Sequence, residues 1–166
     1  MKKVCCFGHR EIFRDIESAD DIYNLKNNVS RSIECLIDDY GYNIFMTGGR
    51  GEFDNLFAEE VRKLKVKYPH IKLVLVEPYF SDKLNKYKAY YETMYDSIIV
   101  PDELANVHYK KAIESRNKWL VDNSDMVISY VNRWSGGAYK AIKYAMSLKR
   151  FVMNLGNIDT LGLNKK

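Results

Sequence analysis

The residues that hold small secreted or metal-binding proteins together are scarce in this chain. There are three cysteines, Cys5, Cys6 and Cys35, and no two of them have CxxC spacing. An odd count without that spacing argues against a disulfide framework and against a zinc site. We therefore expect reduced, largely buried thiols, no metal, and a cytoplasmic location.

Long apolar runs are also missing. No stretch approaches the roughly 20 residues needed to span a membrane, and residues 1–3 lead into a short strand without the longer apolar segment of a signal peptide. The chain has only three prolines and shows no low-complexity tract, linker or internal repeat. We expect one domain over residues 1–156, a loosely held tail over residues 157–166, and no membrane contact.

A strong excess of one charge is absent as well. The sequence has 26 Lys and Arg against 22 Asp and Glu, a net charge of +4 that is spread along the chain. A nucleic-acid footprint usually needs basic residues clustered on one face, so this composition disfavours a nucleic-acid partner. Thirteen tyrosines and Trp134 favour self-association instead, because aromatic residues are enriched at interfaces.

What is present is a regular alternation of strand-like and helix-like segments. The predicted strands are residues 3–7, 42–46, 71–76, 97–100, 125–131 and 151–155. This alternation predicts a three-layer αβα, Rossmann-like domain with a mainly parallel sheet of about six strands. In such sheets the ligand lies beyond the carboxyl ends of the strands.

Three loops of unusual composition follow predicted strands. The sharpest, residues 47–54, reads Thr-Gly-Gly-Arg-Gly-Glu-Phe-Asp and runs from a strand into a helix. Glycine permits a tight turn and close approach to a ligand, and the first N–H groups of a helix attract anions. Residues 8–10 (Gly-His-Arg) and 135–137 (Ser-Gly-Gly) follow two further strands. We expect the three loops to form one binding cleft, although glycines at such turns also serve plain helix–strand packing.

The charged candidates each have a functional and a structural interpretation. Arg10 is suited to bind phosphate with its two-pronged guanidinium, whereas His9 is either an oxyanion donor or base, or a loop histidine satisfied by backbone. The acids Glu52 and Asp54 complement a helix dipole, and Asp54 is also placed to hold a ribose hydroxyl. An inward-facing Arg116 needs a partner, either Asp54 or a ligand anion; with a different helical phase it lies on the surface.

The predicted site contains no metal and no cofactor. Arg50, inside the glycine turn, either leans over the cleft or reaches solvent. The predicted ligand-binding residues are Gly8, His9, Arg10, Thr47, Gly48, Gly49, Arg50, Asp54, Arg116, Asn117, Ser135, Gly136 and Gly137.

Four motifs, at residues 7–10, 47–54, 116–122 and 136–142, together resemble the YpsA-like (DUF1273) branch of the SLOG superfamily. This Rossmann-like group also holds DprA and the LOG cytokinin-activating hydrolases. The resemblance spans residues 4–155 and implies a nucleotide or nucleotide-derived ligand at the glycine loops. The branch's turn usually reads Gly-Gly-Ala-Leu-Gly-x-Asp; Gly48, Gly49 and Asp54 match it here, and residues 50–53 depart from it.

The resemblance to the hydrolases is weaker at the second glycine loop. They have Gly-Gly-x-Gly-Thr-x-x-Glu with a catalytic glutamate, whereas here only Gly136 and Gly137 match and Lys143 takes the glutamate position. A lysine cannot replace a carboxylate as general acid or base at neutral pH. The resemblance thus implies a cytosolic protein that senses or sequesters a nucleotide-like molecule. The alternatives are a nucleotide N-glycosidase of the LOG phosphoribohydrolase type, with Asp54 or Glu52 as its carboxylate, and a DprA-like binder of single-stranded nucleic acid.

Overall fold

The computed structural model describes residues 1–156 and 158. The strands are β1 (Lys2–Gly8), β2 (Tyr42–Thr47), β3 (Lys72–Val76), β4 (Ser97–Ile99), β5 (Met126–Tyr130) and β6 (Phe151–Asn154). The helices are α1 (Ala19–Asp38), α2 (Glu52–Leu64), α3 (Asp82–Lys86), α4 (Lys88–Met94), α5 (Tyr109–Asp122) and α6 (Gly136–Ser147), with 3-10 turns at Phe13–Asp15 and Asp102–Leu104. None of the helices in this part of the chain is long and apolar enough to cross a membrane.

The six strands form one parallel sheet in the order β4-β3-β2-β1-β5-β6. The central strand β1 pairs with both β2 and β5, so that Cys5 lies between Met46 and Val127. Strands β2, β3 and β4 follow one another on one side of β1, and β5 and β6 lie on its other side. This change of side separates the loops after β1 and β5 and opens a crevice at the carboxyl edge of the sheet. The predicted α/β, Rossmann-like fold is confirmed.

Helices cover both faces of the sheet. Successive residues of β1 alternate between the two cores: Val4 and Cys6 pack with α1 and α2, whereas Cys5 and Phe7 pack with α5 and α6. Because both faces are buried, the central strands are almost continuously apolar, as expected for a parallel sheet. With both faces of the sheet covered, the loops at the carboxyl ends of the strands are where a ligand site is expected.

The connections on either side of β4 are short and local. Tyr87, with φ −110° and ψ 26°, separates α3 from α4 before β4, and a 3-10 turn begins the segment after it. The expected tail, residues 157–166, lies outside the described residues apart from position 158, and the single-domain boundary stays a prediction.

Candidate anion-binding cleft

The loops after β1, β2 and β5 surround a cleft of about 550 Å³ at the carboxyl edge of the sheet. Of the predicted site residues, those that line it are Gly8, His9, Arg10, Arg50, Asp54, Arg116, Asn117, Ser135, Gly136 and Gly137. Sequence reasoning missed the other lining residues: Phe7, Glu11, Arg14, Ile113, Arg133 and Ala138. Three loops that are distant in sequence therefore meet in space, and ligand contact by any of these residues stays a prediction.

The glycine turn after β2 packs closely against side chains from α5 and β3. A side chain at Gly48 would overlap the Arg116 guanidinium, and one at Gly49, where φ is +63°, would come within 2.7 Å of Leu75 Cδ1. The turn is closed by Gly49 N–H, which donates to Thr47 Oγ1 at 3.1 Å. Thr47, Gly48 and Gly49 do not line the cleft. The two glycines leave room for Arg116 and Leu75, and Thr47 closes the turn.

A second contact fixes this turn to the loop after β1. Gly51 has φ +108°, and a Cβ at this position would lie 2.7 Å from Arg10 Cα. The next residue, Glu52, donates its N–H to Arg10 O at 2.8 Å. Its carboxylate Oε2 accepts the N–H groups of Ile12 at 2.6 Å and Phe13 at 2.9 Å. Glu52 therefore positions the first loop and does not line the cleft.

Asp54 is the buried acid of the cleft. Its Oδ2 accepts the Arg50 N–H at 2.9 Å, and the Cys6 thiol lies 3.8 Å from Oδ1. Burial raises the pKa of Asp54 to about 6, against the opposing effects of the Arg50 N–H and the positive charge of Arg116. A carboxyl group with this pKa changes its charge close to neutral pH.

Arg116 is the buried cation of the cleft. Its side chain faces inward from α5, which is the first of the two alternatives considered for it. Its side chain is 2% exposed, and Nη1 donates to the carbonyl of Val76 at 3.0 Å. Among residues 1–156 and 158, no carboxylate lies within 4.0 Å of it, and its Nε has no hydrogen-bond partner. Asp54 influences Arg116 through its field but does not form an ion pair with it, so the guanidinium keeps unused donor capacity.

Four more arginines surround the same cleft. Arg50 Nη2 lies 3.1 Å from Glu77 Oε2, Arg14 pairs with Glu11 at 2.8 Å, and Arg133 donates to the Glu11 carbonyl at 3.4 Å. Within the part of the chain that the structure describes, the Arg10 side chain is exposed and makes no hydrogen bond or ion pair. Among the described residues, two of the five arginines, Arg14 and Arg50, are paired with carboxylates, and the other three are not.

His9 links the first loop to the third. Its Nε2 accepts the N–H of Asn132 at 3.4 Å, which favours the structural interpretation of this residue. Burial, followed by the nearby charge of Arg133, lowers the pKa of His9. The imidazole is therefore neutral at neutral pH and acts as an acceptor for backbone.

The start of α6 forms the remaining wall. Gly136 adopts φ +92°, and Ser135 at the N-cap makes no side-chain hydrogen bond to the helix. A Cβ on Gly137 would meet nothing closer than Asn117 Nδ2, at 3.8 Å. The first N–H groups of α6 consequently border the cleft without a side-chain cap, an arrangement that favours an anion.

Parallel strands, glycine turns at their carboxyl ends and a cleft at the topological switch define a Rossmann-like domain. The chain matches the family model described as YspA SLOG family over residues 7–155, and it belongs to this family.

Two comparisons extend this assignment. The chain is 27% identical over 137 residues to the uncharacterized SPbeta prophage-derived protein YoqJ of Bacillus subtilis (strain 168), covering 73% of this chain and 80% of YoqJ. Its fold is similar to that of DNA processing protein A from Helicobacter pylori, with a TM-score of 0.60 and 17% identity over 96% of this chain and 67% of the other. That structure was described for its single-stranded DNA binding mode.

These findings correct the expected partners. We expected nucleic acid to be an unlikely partner, and this expectation is wrong, because a protein that shares the fold is described by its binding of single-stranded DNA. The error has a physical origin. Charge was judged from its total and its spread along the sequence, whereas folding brings five arginines to one cleft: Arg10, Arg14, Arg50, Arg116 and Arg133.

Proposed function

We propose that the cleft binds single-stranded nucleic acid through its phosphate backbone. The observation that carries the proposal is the convergence of five arginines on one cleft that also borders the uncapped start of α6. Guanidinium groups and helix N-termini both bind phosphate oxygens. The similarity in fold to DNA processing protein A supports nucleic acid as the ligand class.

The arginines have different states before binding, which suggests different roles. Arg10 is exposed and unpaired within the described residues, so it can meet a phosphate without breaking an existing contact. Arg116 lies deep in the cleft with an unpartnered Nε, so an anion near it would compensate a buried charge. Arg50 is already partly neutralised by Glu77 and contributes less.

The composition of the cleft favours binding without strong sequence preference. Its lining consists largely of cations, glycines and backbone, and such groups recognise phosphate and sugar, whereas base edges carry the sequence information. A concave cleft of about 550 Å³ accommodates the backbone of one strand. We therefore expect single strands of different sequence to bind with similar affinity.

Fluorescence anisotropy with a labelled oligothymidylate tests the proposal. We expect binding that weakens linearly with log salt, since phosphate contacts release counterions. Arg10→Gln should weaken binding and lower the salt slope by roughly 0.7, the value for one phosphate of a single strand. The matched control is Arg31→Gln, the same charge change at an exposed position on α1 that does not line the cleft. No binding at low salt, or equal weakening by both variants, would reject the proposal.

A second candidate is a protein that senses or sequesters a free nucleotide or nucleotide-derived molecule. The volume of the cleft favours it, because about 550 Å³ lies within the usual range of small-molecule sites. Titration with nucleoside monophosphates, followed by competition against the labelled oligonucleotide, separates the two. A monophosphate that binds as tightly as the oligonucleotide and displaces it would identify a single nucleotide as the ligand.

A further inference from the structure

Trp134 is a large aromatic side chain that the fold leaves in solvent, in the loop between β5 and α6. Its side chain is 60% exposed, although it is one of only two tryptophans in the chain. Its neighbours on either side, Arg133 and Ser135, both line the cleft. Consecutive Cα atoms are about 3.8 Å apart, so the backbone of Trp134 lies one residue from the cleft on both sides, although the indole itself does not line it.

The indole is held in place by the first turns of α6. Its ring centroid lies 5.8 Å from that of Tyr139, with the ring planes at 75° to each other. Tyr139 is itself partly buried against the core under α5 and α6, and Lys143 Nζ lies 5.6 Å from the centroid of its ring. The contact restricts Trp134 while most of its surface stays accessible, which favours an external binding partner over a packing role.

We infer that Trp134 forms a platform on which one base of the bound strand stacks while the adjacent phosphate occupies the cleft. The inference rests on the proposed function and adds a contact to the base. Single-strand binders combine a basic groove with aromatic side chains, because every base has a stacking face and the contact tolerates any sequence. Arg133 and the start of α6 provide the basic part here, and Trp134 provides the aromatic part.

Tyr40 is an exposed aromatic residue that lies away from the cleft. It is 56% exposed and follows α1 at the amino edge of the sheet, where its carbonyl accepts Lys2 Nζ. This places it at the end of the sheet opposite the cleft. Tyr40→Ala is therefore a matched control that removes an exposed aromatic ring without approaching the proposed site.

The experiment compares an oligothymidylate with an abasic deoxyribose-phosphate strand of equal length. Trp134→Ala should weaken binding of the oligothymidylate by roughly five- to 150-fold, the range for loss of one base–aromatic stack. The same variant should leave binding of the abasic strand unchanged. Trp134→Phe should restore part of the loss because it retains a ring, and Tyr40→Ala should affect neither strand.

Intrinsic fluorescence gives an independent readout. In a Trp119→Phe background, Trp134 is the only tryptophan, and stacking with a base should quench its emission. The oligothymidylate should therefore quench fluorescence, whereas the abasic strand should bind with little quenching.

The outcomes separate this inference from the function on which it rests. If both strands bind the wild-type protein equally well and Trp134→Ala changes neither affinity, the phosphate cleft stands and the stacking platform is wrong. If Trp134→Ala weakens binding of both strands equally, Trp134 has a structural role in its loop and does not stack on a base. The inference also fails in that case. If neither strand binds, the proposed function fails.

Discussion

Replacing Asp54 with asparagine should make the protein more stable at neutral pH, and the gain should disappear in acid. The fold buries this carboxyl group, and burial raises its pKa to about 6. Asparagine keeps the shape of the side chain and an oxygen that accepts the Arg50 N–H, a bond of 2.9 Å in the wild type. It carries no charge, so it removes only the cost of holding an ionised group in the interior.

The sign follows from comparing the folded and unfolded chains. The carboxyl titrates near 3.8 when unfolded and near 6 when folded. Below about pH 4 both states are protonated, and Asp54 imposes no penalty. Between about pH 4 and 6 only the folded state keeps its proton, so the free energy of unfolding falls as pH rises. At 1.36 kcal/mol per pKa unit, the loss is about 3 kcal/mol and is complete above about pH 7.

Urea unfolding of the wild type and Asp54→Asn from pH 4 to 7.5 measures this effect. The difference between the two proteins cancels other titrating groups and should grow to about 3 kcal/mol in favour of the variant. Asp96→Asn is the contrasting control. Burial alone would raise the pKa of Asp96, but its ion pair with Lys65 and its bond from the Leu73 N–H outweigh burial and lower the pKa. That variant should be less stable than the wild type at neutral pH.

A difference between wild type and Asp54→Asn that stays constant across this pH range would refute the reasoning. So would a variant that loses stability relative to the wild type as pH rises. Either result would mean that Arg116 and the Arg50 N–H stabilise the ionised carboxylate more than burial destabilises it, which would place the pKa at or below its ordinary value.

Two further predictions concern glycine and cysteine. Gly51→Ala should destabilise the protein by at least about 3 kcal/mol in urea unfolding, because its φ of +108° and the nearby Arg10 backbone both oppose a side chain. Gly41→Ala, at φ +71° with nothing within 4 Å, should cost only about 1 kcal/mol, and equal costs would contradict the steric argument. In a thiol-reagent assay of the native protein, only the exposed Cys35 should react, and Cys35→Ser should abolish the reaction. The two buried cysteines should react only after unfolding, since burial raises their thiol pKa values.

Much of the fold could be predicted because its layers impose simple patterns. Strands buried on both faces become apolar runs, and their alternation with amphipathic helices requires a parallel sheet. Strand order could not be predicted in the same way. Nothing in the apolar pattern of β1 specifies that Cys5 lies between Met46 and Val127. Neither glycine nor proline marks the break between α3 and α4 at Tyr87, so the sequence carries no local signal for it.

The candidate site was predicted where a loop carries a recognisable motif and missed where it does not. The three glycine loops could be assigned to one edge of the sheet because parallel strands end together. Arg14 and Arg133 belong to no motif, and their approach to the cleft depends on loops more than a hundred residues apart. The sequence feature that could have identified these two arginines as cleft residues is their position, since each lies within a few residues of a loop that follows a strand.

Gly48 shows how a residue can matter to a site without lining it. The sequence suggested two separate ligand contacts, one in a glycine turn and one on a helix. In the structure, the missing side chain at Gly48 leaves the space through which the Arg116 guanidinium reaches the Val76 carbonyl and the cleft. The glycine is required because the arginine is buried, and the arginine reaches the cleft because the glycine lacks a Cβ. The two motifs are therefore one structural unit, in which the turn after β2 serves to admit a cation from α5.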